Sequence, residues 1–300
     1  MSRRRKGRDV HGIVLLDKPE GFSSNQAVQK VRWLFGARKA GHTGSLDPFA
    51  TGMLPICLGE ASKTAGFMLD SSKTYLATAF LGKSTSTGDI EGEVLREMDV
   101  PALDTRKIKA TLNTFHGTIE QVPPMYSALK HEGQRLYKLA RAGVEVDRKA
   151  RSVQIHSLEP VSWEPPLLKF SVRCSKGTYV RTLAEDIAAG LGTCAHLQSL
   201  RRLEVEPFGE QDMVTLDELT RLAEAEQIDS CLLPVDAGLI DWPMVTIDES
   251  LSHRFCHGNP VTTDCGETGL VRVYGPENRL LGLGEIAPEN QLKPKRVMHL

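Results

Sequence analysis

Fourteen residues, Gly41-His42-Thr43-Gly44-Ser45-Leu46-Asp47-Pro48-Phe49-Ala50-Thr51-Gly52-Met53-Leu54, constrain this chain more than any other stretch. Three Gly, one Pro, two Thr and one Ser keep a helix or a strand from running through it. Glycine permits backbone shapes and close approaches that other residues forbid. Polar loops commonly carry several charges, yet this one holds a single carboxylate, Asp47, between Leu46 and Pro48. An acid among apolar neighbours is either an Asp-Pro turn former or a group held for its chemistry.

The 300 residues have room for one large domain or two unequal ones. The longest early apolar run, Ile13 to Leu16, is too short for a signal-peptide core or a membrane span. Six cysteines (Cys57, Cys174, Cys194, Cys231, Cys256, Cys265) form no CxxC pair, which fits a reducing cytoplasm better than a disulfide framework. The formal net charge of −1 conceals segregation. Residues 1–40 hold ten Lys/Arg against three Asp/Glu, and residues 204–250 hold one against thirteen. A polyanion is drawn to the first region and repelled by the second.

Gly12 to Leu16 reads as a buried strand, followed by a turn over residues 17–21. Ser23 or Ser24 caps a helix to about Phe35, with Ala27, Val28, Val31, Leu34 and Phe35 on one face. Helices are expected over 60–69, 104–115, 134–142 and 183–191, and an acidic one from Thr215 to about Gln227. Strands are expected over 73–81, 152–160, 167–174 and 195–205, and a polar loop over 84–93. Residues 121–151 open with Pro123-Pro124 and carry seven Lys/Arg against three Asp/Glu; they read as a basic excursion able to reach over a partner. Beyond Asp241, short β runs separated by turn residues indicate a small all-β domain.

Several chemistries lack their residues. There is no G-x-S-x-G elbow, no G-x-G-x-x-G and no Walker loop, so hydrolase and nucleotide-cofactor readings have no support. His253, Cys256, His257 and Cys265 lie within thirteen residues, but their spacing matches no standard zinc finger. What remains is one acid, five tyrosines and the basic segments. Tyr179 follows Gly177 at a strand-to-helix turn, and Arg181 lies two residues on. An Arg near a buried Asp keeps it ionised and oriented, and a ring beside that pair suits a flipped-out base. The alternative is that Tyr75 and Tyr179 are ordinary core or rim aromatics.

GHTGSLDPFATGMLP, with LLDKPEGFSSN before it and SKTYLATAFLGKSTSTGD after it, resembles the TruB family of tRNA pseudouridine synthases, and CSKGTYVRTLAEDIAAGLGTCAHLQSLRRL resembles the family's later motif. The likeness runs from about Gly12 to Phe208 and is looser toward the C-terminus. It implies an α+β fold with a mixed, mostly antiparallel central sheet and flanking helices. It also implies a basic flexible tail (1–11), a catalytic domain (12–240) with an RNA-gripping insertion (121–151), and a PUA-like β domain (241–300). The implied activity is isomerisation of the T-loop uridine at tRNA position 55 by a cytoplasmic monomer, with no cofactor, metal, membrane or obligatory protein partner. In that reading Asp47 is the catalytic acid, and His42 helps hold the flipped-out loop. Tyr75 stacks on the base, Tyr179 and Leu200 line the pocket, Arg181 pairs with the acid, and Lys18 with Pro19 supports the catalytic loop. A non-catalytic tRNA-folding protein and a related synthase acting on another RNA are the alternatives.

Overall fold

The computed structural model describes residues 7–127 and 129–300, so residues 1–6 of the expected tail lie outside the described chain. From Arg8 onward the chain is packed. Arg8 bridges to Ala37 and Val10 is buried, so the body begins before Gly12, and residues 8–11 are not the loose tail the resemblance implied.

Strand β1 (Gly12–Lys18) carries the apolar run, and α1 (Ser24–Leu34) follows the glycine turn. Ser23 and Gln26 close a capping box at its start. β2 (Ala40–His42) and β3 (Thr51–Leu58) enter the glycine-rich stretch from both ends, further than its composition predicts, leaving residues 43–50 outside helix and strand. Gly52 explains how β3 begins there. Its φ is 95°, and a Cβ would lie 2.2 Å from the Arg202 carbonyl oxygen. The helix expected over 60–69 is broken into a 3-10 turn at Gly59–Lys63 and a short α2 (Ala65–Met68). At the break the Thr64 hydroxyl donates back to the Ala61 carbonyl.

β4 (Lys73–Leu81) leads to a hairpin of β5 (Lys83–Thr85) and β6 (Val94–Glu97) that encloses most of the polar loop. Asp104 caps α3 (Thr105–Asn113), and β7 (Gly117–Gln121) follows. The basic excursion contains β8 (Lys130–His131), β9 (Gln134–Arg135) and α4 (Leu136–Arg141); pairing of β8 with β9 delays the helix to Leu136. β10 (Arg151–Glu164), β11 (Leu167–Cys174), α5 (Val180–Leu191) and β12 (Ala195–Val205) complete the central motif. Gly192 ends α5 in the left-handed conformation. β13 (Val214–Thr215) precedes α6 (Leu216–Glu224), which Thr215 caps.

The main sheet runs β13-β1-β3-β12-β4-β11-β10-β7, with β2 paired to β3. Only the β1–β13 and β3–β12 pairs are parallel, so the sheet is mixed and mostly antiparallel. β1 is buried on both faces, which is why it reads as a continuous apolar run. Val14 and Leu16 join the core beneath α1, α5 and α6, while Ile13 and Leu15 join a second core with Leu280, Leu283 and Met298 of the C-terminal segment. That segment folds from β14 (Met244–Thr246), α7 (Glu249–Cys256), β15 (Val261–Thr262), β16 (Gly269–Tyr274), β17 (Leu280–Ala287) and β18 (Gln291–Val297) into a curled five-stranded sheet of the PUA-like kind. Among the described residues no helix is long and apolar enough to cross a membrane.

Candidate active site

Residues 43–50 are anchored before they carry any chemistry. Ser24, in the first turn of α1, accepts from the Leu46 N–H (2.7 Å) and donates to the Leu46 carbonyl (2.9 Å). Lys18 Nζ donates to the carbonyls of Pro19, Phe22 and Pro48 at 2.8, 2.7 and 3.2 Å. It thereby ties the end of β1 to the far side of the loop. Burial pulls Lys18 down to about 8, with the nearby Asp47 opposing the shift. His42 accepts from the Gly44 N–H through Nδ1 at 3.2 Å. It thus folds the loop from within and lies outside the cleft lining.

The result is an open cleft of about 310 Å³, at the lower end of the roughly 300–1,000 Å³ typical of ligand sites. Asp47, Tyr75, Tyr179, Arg181 and Leu200 all line it. Three main-sheet or helix elements converge here: β4 supplies Tyr75, β12 supplies Leu200, and the turn into α5 supplies Tyr179 and Arg181. Gly177, at φ 81°, makes that turn possible. Gln121 then holds Tyr179 at both ends of its peptide, accepting from its N–H at 3.0 Å and donating to its carbonyl at 3.3 Å.

Arg181 is the electrostatic centre. Its side chain is 6% exposed, and it reaches four residues on three other segments of the chain. Nε lies 3.1 Å from Asp47 Oδ2 and Nη1 lies 3.3 Å from Asp89 Oδ2. Nη1 also donates to the Thr87 carbonyl at 2.8 Å, and Nη2 to the Tyr126 carbonyl at 2.7 Å. A cation in the first turn of a helix opposes the helix dipole; two carboxylates offset that. Burial raises the Asp47 carboxyl above its usual range, Arg181 pulls it back, and Asp89 adds to the rise. The Asp47 side chain remains 39% exposed, against 6% for Arg181 and 3% for Asp89. The acid is therefore tethered at one oxygen and open to a bound molecule.

Asp89, Tyr126, Lys73 and Arg202 were not anticipated from the sequence as site residues. Asp89 sits in the polar loop, where its only signal is being an acid within SKTYLATAFLGKSTSTGD. Arg202 had no distinguishing signal, since its strand also carries His196, Gln198, Ser199, Arg201 and Glu204. The four-residue His/Cys zinc candidate does not assemble: among the described residues no group of three or more His, Cys, Asp or Glu is placed to hold a metal ion. His253 and His257 instead pack ring against ring at 4.3 Å.

A family model described as the TruB family pseudouridylate synthase N-terminal domain matches residues 32–180. Models of the tRNA pseudouridylate synthase B C-terminal domain and of the pseudouridine synthase II TruB C-terminus match 181–240 and 243–298. The chain belongs to the TruB family. It is 50% identical over 295 residues to tRNA pseudouridine synthase B of Pseudomonas syringae pv. syringae (strain B728a), covering 97% of this chain and 96% of that one. To the same enzyme of Pseudomonas aeruginosa (strain UCBPP-PA14) it is 49% identical, covering 97% of both. Among solved structures, one of a Cbf5-Nop10-Gar1 complex superposes with a TM-score of 0.73 at 25% identity over 95% of this chain and 84% of that chain. An H/ACA RNP bound to a substrate RNA containing 2′-deoxyuridine gives 0.72 at 21% identity, over 100% of this chain and 92% of that one. The TruB chain described here is an RNA pseudouridine synthase, and tRNA is its substrate class.

Proposed function

We propose that this TruB enzyme isomerises the T-loop uridine at tRNA position 55, and that Asp47 performs the chemistry. One observation carries the reading: a half-open carboxylate, tethered by Arg181, faces a cleft walled by Tyr75 and Tyr179. Uridine flips out of its loop at a cost of a few kcal/mol, and stacking on Tyr75 returns about 1–3 kcal/mol. Asp47 acts on the ribose, by addition at C1′ or by promoting loss of the 2′ proton. The N1–C1′ bond breaks, the base turns, and C5 bonds to C1′. Tyr179 and Leu200 confine the turning base. Lys18 and His42 keep the loop in shape through the hydrogen bonds given above.

In this reading the catalytic domain spans 12–240, and the basic excursion 121–151 closes over the T arm. Its Tyr126 carbonyl on Arg181 supports a direct link between grip and chemistry. Residues 241–300 contact the far end of the arm. The enzyme works alone, as a monomer in the cytoplasm. Asp47→Asn should keep T-arm affinity and abolish tritium release from RNA labelled at uridine C5. Retained turnover ends the assignment to Asp47. The likeness to a Cbf5-Nop10-Gar1 complex supports a second reading, in which partners or a guide are needed. Turnover on a bare T-arm minihelix by the isolated chain excludes it.

A further inference from the structure

Arg202 is the largest side chain among the fully buried ones, at 1% exposure, yet among the described residues it pairs with no carboxylate. Its Nε donates to the Met53 carbonyl at 2.7 Å and Nη2 to the Gly44 carbonyl at 3.1 Å. Strand register sets its position. Arg202 stands opposite Gly52 of β3 on one side and opposite Tyr75 of β4 on the other, and directly paired residues share a sheet face at roughly 5 Å. A second cation accompanies it. Lys73 is buried, spends two donors on the Leu69 and Ser71 carbonyls, and has no acidic partner among the described residues. Arg202 Nη1 and Lys73 Cε each lie 3.7 Å from where a Gly44 Cβ would stand, so the pair straddles one bare backbone position in the cleft wall. Buried charges are ordinarily paired, and two like charges side by side are costlier still. Burial and Arg202 together hold Lys73 down to about 8. This side of the cleft is built for a negative charge that none of the described residues supplies.

The proposed reaction creates such a charge. When N1–C1′ breaks, its electron pair stays on N1, and uracil is released as an anion with charge shared among N1, O2 and O4. C1′ regains a pair from the Asp47 carboxylate or from the C2′–H bond. On rejoining, C5 bonds to C1′, the borrowed pair returns, C5 loses its proton and N1 gains one, so atoms and electrons balance as an isomerisation. A base stacked on Tyr75 lies beside the strand partner of Tyr75, which is Arg202. A backbone phosphate stays at the rim of a cleft, whereas Arg202 is almost wholly enclosed.

We propose that Arg202 is a further catalytic residue of this enzyme, the cation that stabilises the detached uracil while it turns between its two bonds to the ribose. The inference rests on the reading of the site as a uridine isomerase and adds to it the group that receives the leaving base. Arg202→Gln should slow uridine turnover on a T-arm minihelix by about 10²-fold, the usual loss when one donor to a developing charge is removed. Affinity for the minihelix should stay within about threefold, under half a tenfold step in free energy. Fluorine at C5 makes uracil a better anion. Consumption of a 5-fluorouridine T arm, followed by nuclease digestion and chromatography, should therefore fall roughly tenfold less than uridine turnover.

Equal losses on the two nucleosides reduce Arg202 to a scaffold residue and overturn the proposal. So does a weakened affinity with a salt slope about 0.9 shallower, which would make it a phosphate contact. If Arg202→Gln does not fold, Arg202→Met removes the charge and fills the enclosed space without stranding an unpaired donor. The smaller loss on 5-fluorouridine is again expected, and equal losses again refute it. An inactive wild-type chain, or activity retained in Asp47→Asn, would instead sink the underlying isomerase reading.

Discussion

Replacing Arg181 with Met tests whether the network around the acid is held together by charge. Met fills a comparable apolar volume but leaves Asp89, 3% exposed, without a countercharge. Removing one partner of a buried ion pair costs about 3–5 kcal/mol, because the survivor is stranded away from water. The Asp47 side of the network adds little to this figure, since a carboxylate 39% exposed is screened by solvent. Against a total stability of about 5–15 kcal/mol the loss is large. The second substitution carries the reasoning. Asp89→Asn in the Arg181→Met background removes the stranded charge while an amide oxygen can still accept from the Thr87 hydroxyl and the Glu91 N–H. Exchanging both partners of a buried pair for neutral groups is often close to neutral, so the double variant should recover most of the loss. Activity should stay abolished in both, because Asp47 has lost its tether. Urea denaturation and T-arm turnover read the two effects separately. A single-variant cost below about 1 kcal/mol, or a double variant no more stable than the single, would refute the charge-based account.

Other expectations follow from individual contacts. Burial raises the Asp47 carboxyl in the folded state, so the fold binds that proton more tightly than the unfolded chain does and loses stability as pH rises through the folded value. Asp47→Asn should therefore unfold at a higher temperature than wild type near neutral pH, with the gap closing in acid below the unfolded value. Tyr75→Phe keeps the stacking ring; unchanged minihelix affinity with strongly reduced turnover would assign the hydroxyl a chemical role, and unchanged turnover would leave Tyr75 as a stacking platform only. Gly52→Ala places a Cβ 2.2 Å from the Arg202 carbonyl at a φ of 95°, so a loss of at least about 2 kcal/mol is expected in urea titration. Ser23→Ala removes the cap of α1 and should cost about 1 kcal/mol without lowering T-arm affinity.

Much of this protein was legible in local pattern. The β-prone residues Tyr75, Thr78 and Phe80 marked β4, and the strands β11 and β12 fall where they were expected. Ser23 or Ser24, and Thr215, announced the starts of their helices, because a cap is a bond between residues three apart. The family motif brought Asp47, Tyr75, Tyr179, Arg181 and Leu200 forward as a set, and the structure gathers them in one cleft. The reach of β3 into the glycine-rich stretch was not legible, since it depends on a partner far away in sequence, Arg202; nor was the break at Thr64, whose hydroxyl back-bonds to Ala61 beside the Val235 carbonyl.

By itself, the sequence determined the local elements, the glycine-punctuated loop with its single acid, and the family to which the chain belongs. Periodicity, caps and turns are written in neighbouring residues, which is why they could be read there. Only the tertiary structure decided that Asp89 shares Arg181 with Asp47 across 42 positions of chain, and that Arg202 stands enclosed beside Tyr75 with no carboxylate partner among the described residues. A charge reveals its partner, or the want of one, only where strands distant in sequence lie side by side and water has been excluded between them.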